Sequence, residues 1–266
     1  MNAKRPVVAL IAIVSLIFLY VPSLAVAIFS VNNAKYGLLW KGFTWKWYTQ
    51  LFSNQAILDA ALNSLFVAVI STAVATVLGT ALALGLDRFP WPRRGVKAMD
   101  LLVHLPVVTP DIILAAALVL TFSLLRKLSS VFEMGMFTLI LGHITFQISF
   151  VTLVVRSRLA ALGRDIDEAA RDLYASGRYL FFRVTLPLLM PGIMAGAMLA
   201  FTLSLDDFMI SFFTHGPDSV TLPIYIYSSV RRGISPEIHA LSTMVLLITV
   251  VLVVIAERLS RFRREG

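Results

Sequence analysis

Three carboxylates stand within long apolar stretches of this 266-residue chain: Asp111, Asp206 and Asp207. An ionisable side chain in a membrane-spanning segment is costly and ordinarily faces a partner or a wet path. No Lys or Arg lies in the core of those stretches, so a path lined by them suits a cation. Phe201, Phe208 and Phe212 stand near two of the carboxylates and offer ring faces for cation–π contact. Each carboxylate also has a purely structural reading. Thr109-Pro110-Asp111 reads as an N-cap, a first helical proline and a dipole-favoured second residue, restarting a helix broken between Pro106 and Pro110. Asp207 is at helical spacing from Ser204 and Ser211, and Asp206 from Thr202, so both can be satisfied locally.

Other chemistry is excluded by inventory. The chain has no Cys, so disulfides, thiolate metal sites and cysteine nucleophiles are out. His104 and His143 lack a carboxylate at metal-ligand spacing, which makes them packed, hydrogen-bonded histidines. No His-Glu-x-x-His motif, Ser/His pair or pair of Asp motifs on facing helices is present. Asp206 and Asp207 are adjacent, hence about 100° apart on a helix and poorly set to share one proton. There is no Gly-x-x-x-x-Gly-Lys-[Ser/Thr] phosphate loop, so any ATP chemistry belongs to another polypeptide. Gly192-x-x-x-Gly196 lets helices approach closely and serves packing.

The elements that must position these residues are membrane helices. The chain is 58% hydrophobic and 14% charged, with mean hydropathy +0.84, against about 45–50% apolar and about 25% charged in soluble domains. Runs of about 20 apolar residues mark helices that cross a bilayer. The pattern predicts an all-α membrane protein of one domain, 1–266, with six spans near 7–30, 60–86, 99–125, 135–156, 187–213 and 238–257. The third is interrupted by Asp100 and Asp111. The net charge of +8 is scattered in short clusters between the spans, a topology signal rather than a nucleic-acid surface.

Placing the N-terminus inside puts sixteen Lys and Arg in cytoplasmic regions and seven outside, so the positive-inside rule predicts that both termini are cytoplasmic. Lys4-Arg5 followed by an apolar run and Ala25-Val26-Ala27 imitates a secretory signal. The run exceeds the about 7–15 residues of a signal core, and Pro22 precedes the cleavage-like site, so an uncleaved helix is expected. Trp40, Trp45, Trp47 and Tyr48 with Lys41 and Lys46 have the composition of an outer interfacial belt.

Between the fourth and fifth spans, residues 163–187 carry a second constellation. Asp165 and Glu168 are spaced for a capping box, and acidic residues in a first turn suit the helix dipole. Ala169, Ala170 and Leu173 give the short helix a small apolar face, Arg164, Arg171 and Asp172 keep the rest wet, and Gly177 offers a stop. Those residues alone are read equally well as a solvated connection between two spans.

Glu168-Ala169-Ala170, Tyr174 six residues after Glu168, and Val184-x-Leu186-Pro187 resemble the EAA loop of permease subunits of type I ABC importers. The resemblance implies that this is a coupling helix seated in a groove of an ATPase, with Glu168, Ala169, Ala170, Asp172, Leu173, Tyr174, Gly177, Leu186 and Pro187 forming the coupling site. The family usually has Gly at the position of Tyr174. The turn expected there therefore either passes to Gly177 or is replaced by a longer helix.

Residues 40–52, Asn63-Ser64-Leu65, Leu105-Pro106, Thr109-Pro110-Asp111, Phe201 to Asp207, Leu222-Pro223, Val230 and Ser235-Pro236-Glu237 resemble the spermidine/putrescine branch. The implied assembly is a bacterial inner-membrane importer: this permease, a second related permease, an ABC ATPase dimer and a periplasmic polyamine-binding protein. This chain is then no enzyme and binds no cofactor; ATP and Mg lie on the ATPase. The expected substrate path includes Asp111, Asp206, Asp207, Phe201 and Phe208. Ferric iron or another small solute is the alternative cargo.

Overall fold

A computed structural model describes residues 4–34, 39–163, 165–233 and 236–265, with backbone alone for 4–7, 93, 171 and 252–265. Lys35, Arg164 and Ser235, and the side chains of Lys4, Arg5, Arg93, Arg171, Arg258, Arg261, Arg263 and Arg264, lie outside the described residues. The helices are α1 (Lys4–Phe29), α2 (Lys46–Ser53), α3 (Gln55–Arg88), α4 (Arg93–Val108), α5 (Asp111–Leu125), α6 (Met136–Leu162), α7 (Asp165–Asp172), α8 (Gly177–Tyr179), α9 (Leu186–Asp206), α10 (Met209–Thr214), α11 (Leu222–Arg232) and α12 (Pro236–Glu265). A π-helical turn, Leu180–Thr185, joins α8 to α9. Among the described residues, the strand pairing is limited to one antiparallel bridge, Asn32 to Phe43.

Among the described residues, four helical stretches are long and apolar enough to cross a membrane: Val8–Phe29, Gln55–Arg88, Met136–Leu162 and Gly177–Asp206. The remaining two predicted spans take other forms. The segment 99–125 is a helix pair bent by 110°. Its break lies at Thr109 and Pro110, because Pro110 removes a backbone donor and disfavours helical geometry at the residue before it. Pro110 is the N-cap of α5 and Asp111 its first residue, so the helix starts one residue later than the sequence pattern suggested. Pro106 is accommodated within α4. The described apolar part of α12, Pro236–Val251, is shorter than a full crossing. The predicted fifth span, 187–213, is also not one helix: α9 stops at Asp206 and α10 begins at Met209.

Cα packing divides the chain into two compact units, residues 1–58 with 225–266 and residues 59–224. In the first, α1 and α2 both pack on α12. Side chains along α1 are largely exposed, Phe18 at 83%, as expected of a helix solvated by lipid rather than by protein. After α1, buried Asn32 organises the connection. Its amide donates to Leu39 O at 2.9 Å, its Oδ1 accepts the Lys41 N–H at 2.9 Å, and Trp47 Nε1 donates to its carbonyl at 2.8 Å. The aromatic belt is therefore tied down at Trp47, which is buried, while Trp40 and Trp45 are exposed.

In the second unit the central packing is α6 against α9. Ala83, Val151, Val155, Leu159, Leu189 and Ala200 form its buried cluster. Close approach depends on absent side chains. A Cβ on Gly192 would stand 2.7 Å from Arg158 Cβ, and one on Gly79 would stand 2.8 Å from Val151 Cβ. Polar side chains then bond across the gap, Gln147 Nε2 to Ala200 O at 3.0 Å and Thr152 Oγ1 to Gly79 O at 3.2 Å. Such interhelical bonds substitute for the hydrophobic drive that lipid does not provide. A second cluster, Ala115, Leu118, Phe122, Phe146 and Ile210, packs α5 and α10 against α6.

Candidate coupling segment and intramembrane carboxylates

The predicted short helix between the fourth and fifth spans exists as α7. Its first turn holds Asp165, Asp167 and Glu168, opposite in sign to the partial positive charge of the unpaired N–H groups there. Asp165 is already helical, so it stands inside the first turn rather than before it.

The end of α7 answers the question posed by Tyr174. The helix neither runs on nor stops at Gly177. Tyr174 itself adopts φ +56°, and the Ala175 N–H reaches back to Ala170 O at 3.1 Å, the six-to-one bond of a Schellman turn. Gly177 is a beginning instead: Ser176 caps α8, its hydroxyl accepting the Tyr179 N–H at 3.3 Å. The π turn that follows has a local cause in Pro187. Proline cannot donate to the carbonyl four residues back, and its ring crowds that carbonyl. The preceding Leu186 N–H bonds Phe181 O, five residues back, which widens the turn. Leu186 is half-buried and Pro187 exposed at the start of α9.

Of the predicted coupling residues, Glu168, Ala169, Asp172, Leu173 and Tyr174 are all exposed, and Leu173 and Tyr174 stand out at 82% and 96%. Ala170 turns partly inward. Exposed large apolar residues at the end of a polar helix form a compact face suited to docking. The structure adds residues that the motif did not single out. Arg88 Nη1 lies 2.9 Å from Asp167 Oδ2, Arg88 Nη2 donates to Gly163 O at 3.4 Å, and Thr185 Oγ1 donates to Asp167 Oδ1 at 3.5 Å. A cavity of about 450 Å³ lies beside them, with Arg88, Asp167 and Glu168 on its polar side and Leu84, Leu180 and Phe181 on its apolar side. In the sequence Arg88 counted only as a topology charge, and no spacing rule links it to Asp167.

The three intramembrane carboxylates divide into different roles. Asp207 accepts the N–H groups of Ile210 at 3.3 Å and Ser211 at 2.8 Å, so it caps α10. Its Oδ2 also lies 3.4 Å from His143 Nε2. His143 is fully buried, with Nδ1 2.7 Å from Ser204 Oγ and Nε2 2.9 Å from Ser211 Oγ. This is the packed, hydrogen-bonded histidine the sequence implied, but it also corrects the expectation of no Ser/His pair: Ser204 and Ser211, distant in sequence, both pair with His143 in a fully buried setting. His104 is bonded, Nδ1 to Asp100 O at 2.7 Å, but it is exposed rather than packed.

Asp206 is exposed at the last residue of α9. Asp206 and Asp207 therefore do not share one continuous helix: the expected face of Asp207 with Ser204 and Ser211 is realised across a break. Asp111 is exposed at the start of α5, and α5 packs against α10. Phe201 is half-buried on α9. Phe208 sits in the gap between α9 and α10, its ring 5.2 Å from that of Phe212.

Comparison with known proteins places this geometry. Residues 75–263 match the family described as the binding-protein-dependent transport system inner membrane component. The chain is 40% identical over 244 residues to the putrescine transport system permease protein PotI of Escherichia coli (strain K12), covering 91% of this chain and 86% of that protein. It is 38% identical over 249 residues to the spermidine/putrescine transport system permease protein PotC of the same strain, covering 94% and 92%. The fold is similar to a chain of a bacterial ABC transporter involved in the import of the acidic polysaccharide alginate, with TM-score 0.76 and 18% identity over 97% of this chain and 94% of that one. It is also similar to a chain of the MetNI methionine ABC transporter in inward-facing form, with TM-score 0.62 and 18% identity over 77% and 94%.

Proposed function

The chain belongs to the inner-membrane components of binding-protein-dependent transport systems, and from that premise we propose that it is a polyamine-import permease driven by a separate ATPase through α7. The observation that carries the proposal is the exposed end of α7, Leu173 and Tyr174 on a turn closed by the Ala175 to Ala170 bond. The polyamine assignment draws on the putrescine and spermidine/putrescine transport systems to which the PotI and PotC relatives belong. It is supported by Asp206, an exposed carboxylate at the break between α9 and α10, where the tilted Phe208 and Phe212 rings lie 5.2 Å apart just after it in the chain.

In this reading the two compact units belong to one transmembrane domain of six crossings, with the bent α4–α5 pair counted once and α12 as the sixth. Both termini and α7 face the bacterial cytoplasm, consistent with the distribution of Lys and Arg. A periplasmic binding protein delivers the polyamine, and this chain with a second, related permease forms the path. ATP and Mg are held by an ATPase dimer; its closure moves α7 and switches the path from inward to outward access. The side chains act by binding and positioning alone: carboxylate and ring faces replace part of the water around a polycation.

The test is uptake of labelled putrescine and spermidine by cells carrying the whole system. Uptake is expected to require the ATPase subunit and to be blocked by unlabelled polyamine. Uptake that survives deletion of the ATPase overturns the importer reading. Competition by ferric iron but not by polyamine overturns the substrate.

A further inference from the structure

Asp165–Asp172 is a short helix with little of its own surface buried: Asp165, Ile166, Glu168, Ala169 and Asp172 are exposed. Asp167 is different. Its side chain is 17% exposed, and its two oxygens diverge to two separate elements, Oδ2 to Arg88 at 2.9 Å and Oδ1 to Thr185 at 3.5 Å. Arg88 is the last residue of the 34-residue α3, and Thr185 is the last residue of the π turn that leads into α9. Arg88 further contacts Asp87 Oδ2 through Nε at 3.3 Å and Gly163 O through Nη2 at 3.4 Å. It therefore grips the chain both just before α7 and within its first turn.

We propose that Asp167 is a positioning residue that transmits displacement of α7 to α3 through Arg88 and to α9 through Thr185, a role separate from contact with the ATPase. The proposal rests on the reading of α7 as the docking helix. A solvent-open groove of about 450 Å³ runs beside the Arg88–Asp167 ion pair, lined by Leu84, Arg88, Asp167 and Thr185. Adjacent residues of a helix point about 100° apart, and Glu168 and Asp167 differ in burial: Glu168 is exposed at the rim of the groove, whereas Asp167 is held by Arg88 and Thr185. Directional polar ties at Asp167 carry the load. A partly exposed ion pair contributes little to net stability, so cutting it is expected to spare folding and assembly while losing the mechanical link.

The experiment uses the complete complex of both permeases, ATPase and binding protein in liposomes. Asp167→Asn, Arg88→Gln, the double variant, Asp167→Glu and Glu168→Lys are compared with wild type. ATPase co-purification, ATP hydrolysis with loaded binding protein, and polyamine taken up per ATP are measured. Asp167→Asn and Arg88→Gln are each expected to retain the ATPase at the wild-type ratio yet lose at least about fivefold in uptake per ATP, the low end of typical coupling between sites. The double variant is expected to be no worse than either single variant, since both cut the same link, and Asp167→Glu to recover most of the loss.

Unchanged uptake per ATP in Asp167→Asn overturns the proposal, as do single losses that multiply in the double variant. Loss of ATPase co-purification in Asp167→Asn also overturns it, by making Asp167 a docking residue. Glu168→Lys that keeps both the ATPase and uptake instead overturns the docking reading, so the two failures are distinguishable.

Discussion

The Asp207 carboxylate accepts the backbone N–H of Ser211 at 2.8 Å, and this bond begins α10 just after α9 has ended. An acidic pair that reads as two pathway groups is thereby split. Asp207 satisfies helix N–H groups that lipid cannot hydrate, while Asp206 is left exposed.

The split predicts opposite phenotypes. Asp207→Ala removes the carboxylate that accepts two first-turn N–H groups of α10, a capping interaction worth about 1 kcal/mol, and is expected to lower the thermal midpoint of the purified permease complex, with Asp207→Asn in between. Asp206→Asn is expected to leave that midpoint unchanged and to raise the apparent KM for spermidine at least about threefold, the scale of one partly solvated ion pair. Equal melting of the two Asp variants would refute the division of roles.

At Tyr174 the positive φ costs a residue with a Cβ roughly 1–2 kcal/mol, which glycine avoids. Tyr174→Gly is expected to slow hydrogen exchange of the Ala175 amide, because the turn that protects it becomes more populated. Tyr174→Val, β-branched, is expected to speed it. Exchange that does not respond to either variant would place the turn elsewhere.

Packing of α6 on α9 predicts a contrast between two glycines in one motif. A methyl at Gly192 meets Arg158 Cβ at 2.7 Å, whereas one at Gly196 meets Val151 Cγ1 at an ordinary 3.4 Å. Gly192→Ala should destabilise by about 1–3 kcal/mol, read as lower yield and melting temperature. Gly196→Ala should be close to neutral.

Topology is testable because the chain has no native Cys, so one introduced thiol is unique. A membrane-impermeant maleimide applied to intact spheroplasts is expected to label Leu128→Cys, which is 83% exposed, and to label Tyr174→Cys only after permeabilisation. Reversed labelling would invert the orientation drawn from the positive charges.

Much of this architecture is legible in the sequence because lipid imposes a simple code. Apolar length marks the helices, and Pro106 with Pro110 marks the weak point of 99–125. The 110° bend between α4 and α5 is not legible, since its angle depends on how α5 packs with α6 and α10. The break at Asp206 and Asp207 was hidden by its own chemistry: Asp and Ser four apart look like neighbours on a continuous helix, and the same spacing serves a carboxylate that caps a new one. Within residues 163–187 the motif residues Glu168, Ala169, Leu173 and Tyr174 are exposed, whereas Ala170 and Leu186 are partly buried. The inward tie through Arg88, Asp167 and Thr185 joins distant parts of the chain by geometry alone. Gly177 drew attention as the conformationally free residue, yet Tyr174 takes the left-handed turn because the Ala175 to Ala170 bond closes there.

Docking of an ATPase at the exposed end of α7 is tested most directly by cross-linking. Leu173→Cys, on this cysteine-free background, is to be paired with single thiols along the candidate groove of the ATPase in the assembled complex and treated with a short bismaleimide. A permease–ATPase cross-link formed in high yield by Leu173→Cys, and not by Leu128→Cys, is the predicted result. Absence of any cross-link from Leu173→Cys in a complex that still transports polyamine would contradict the account.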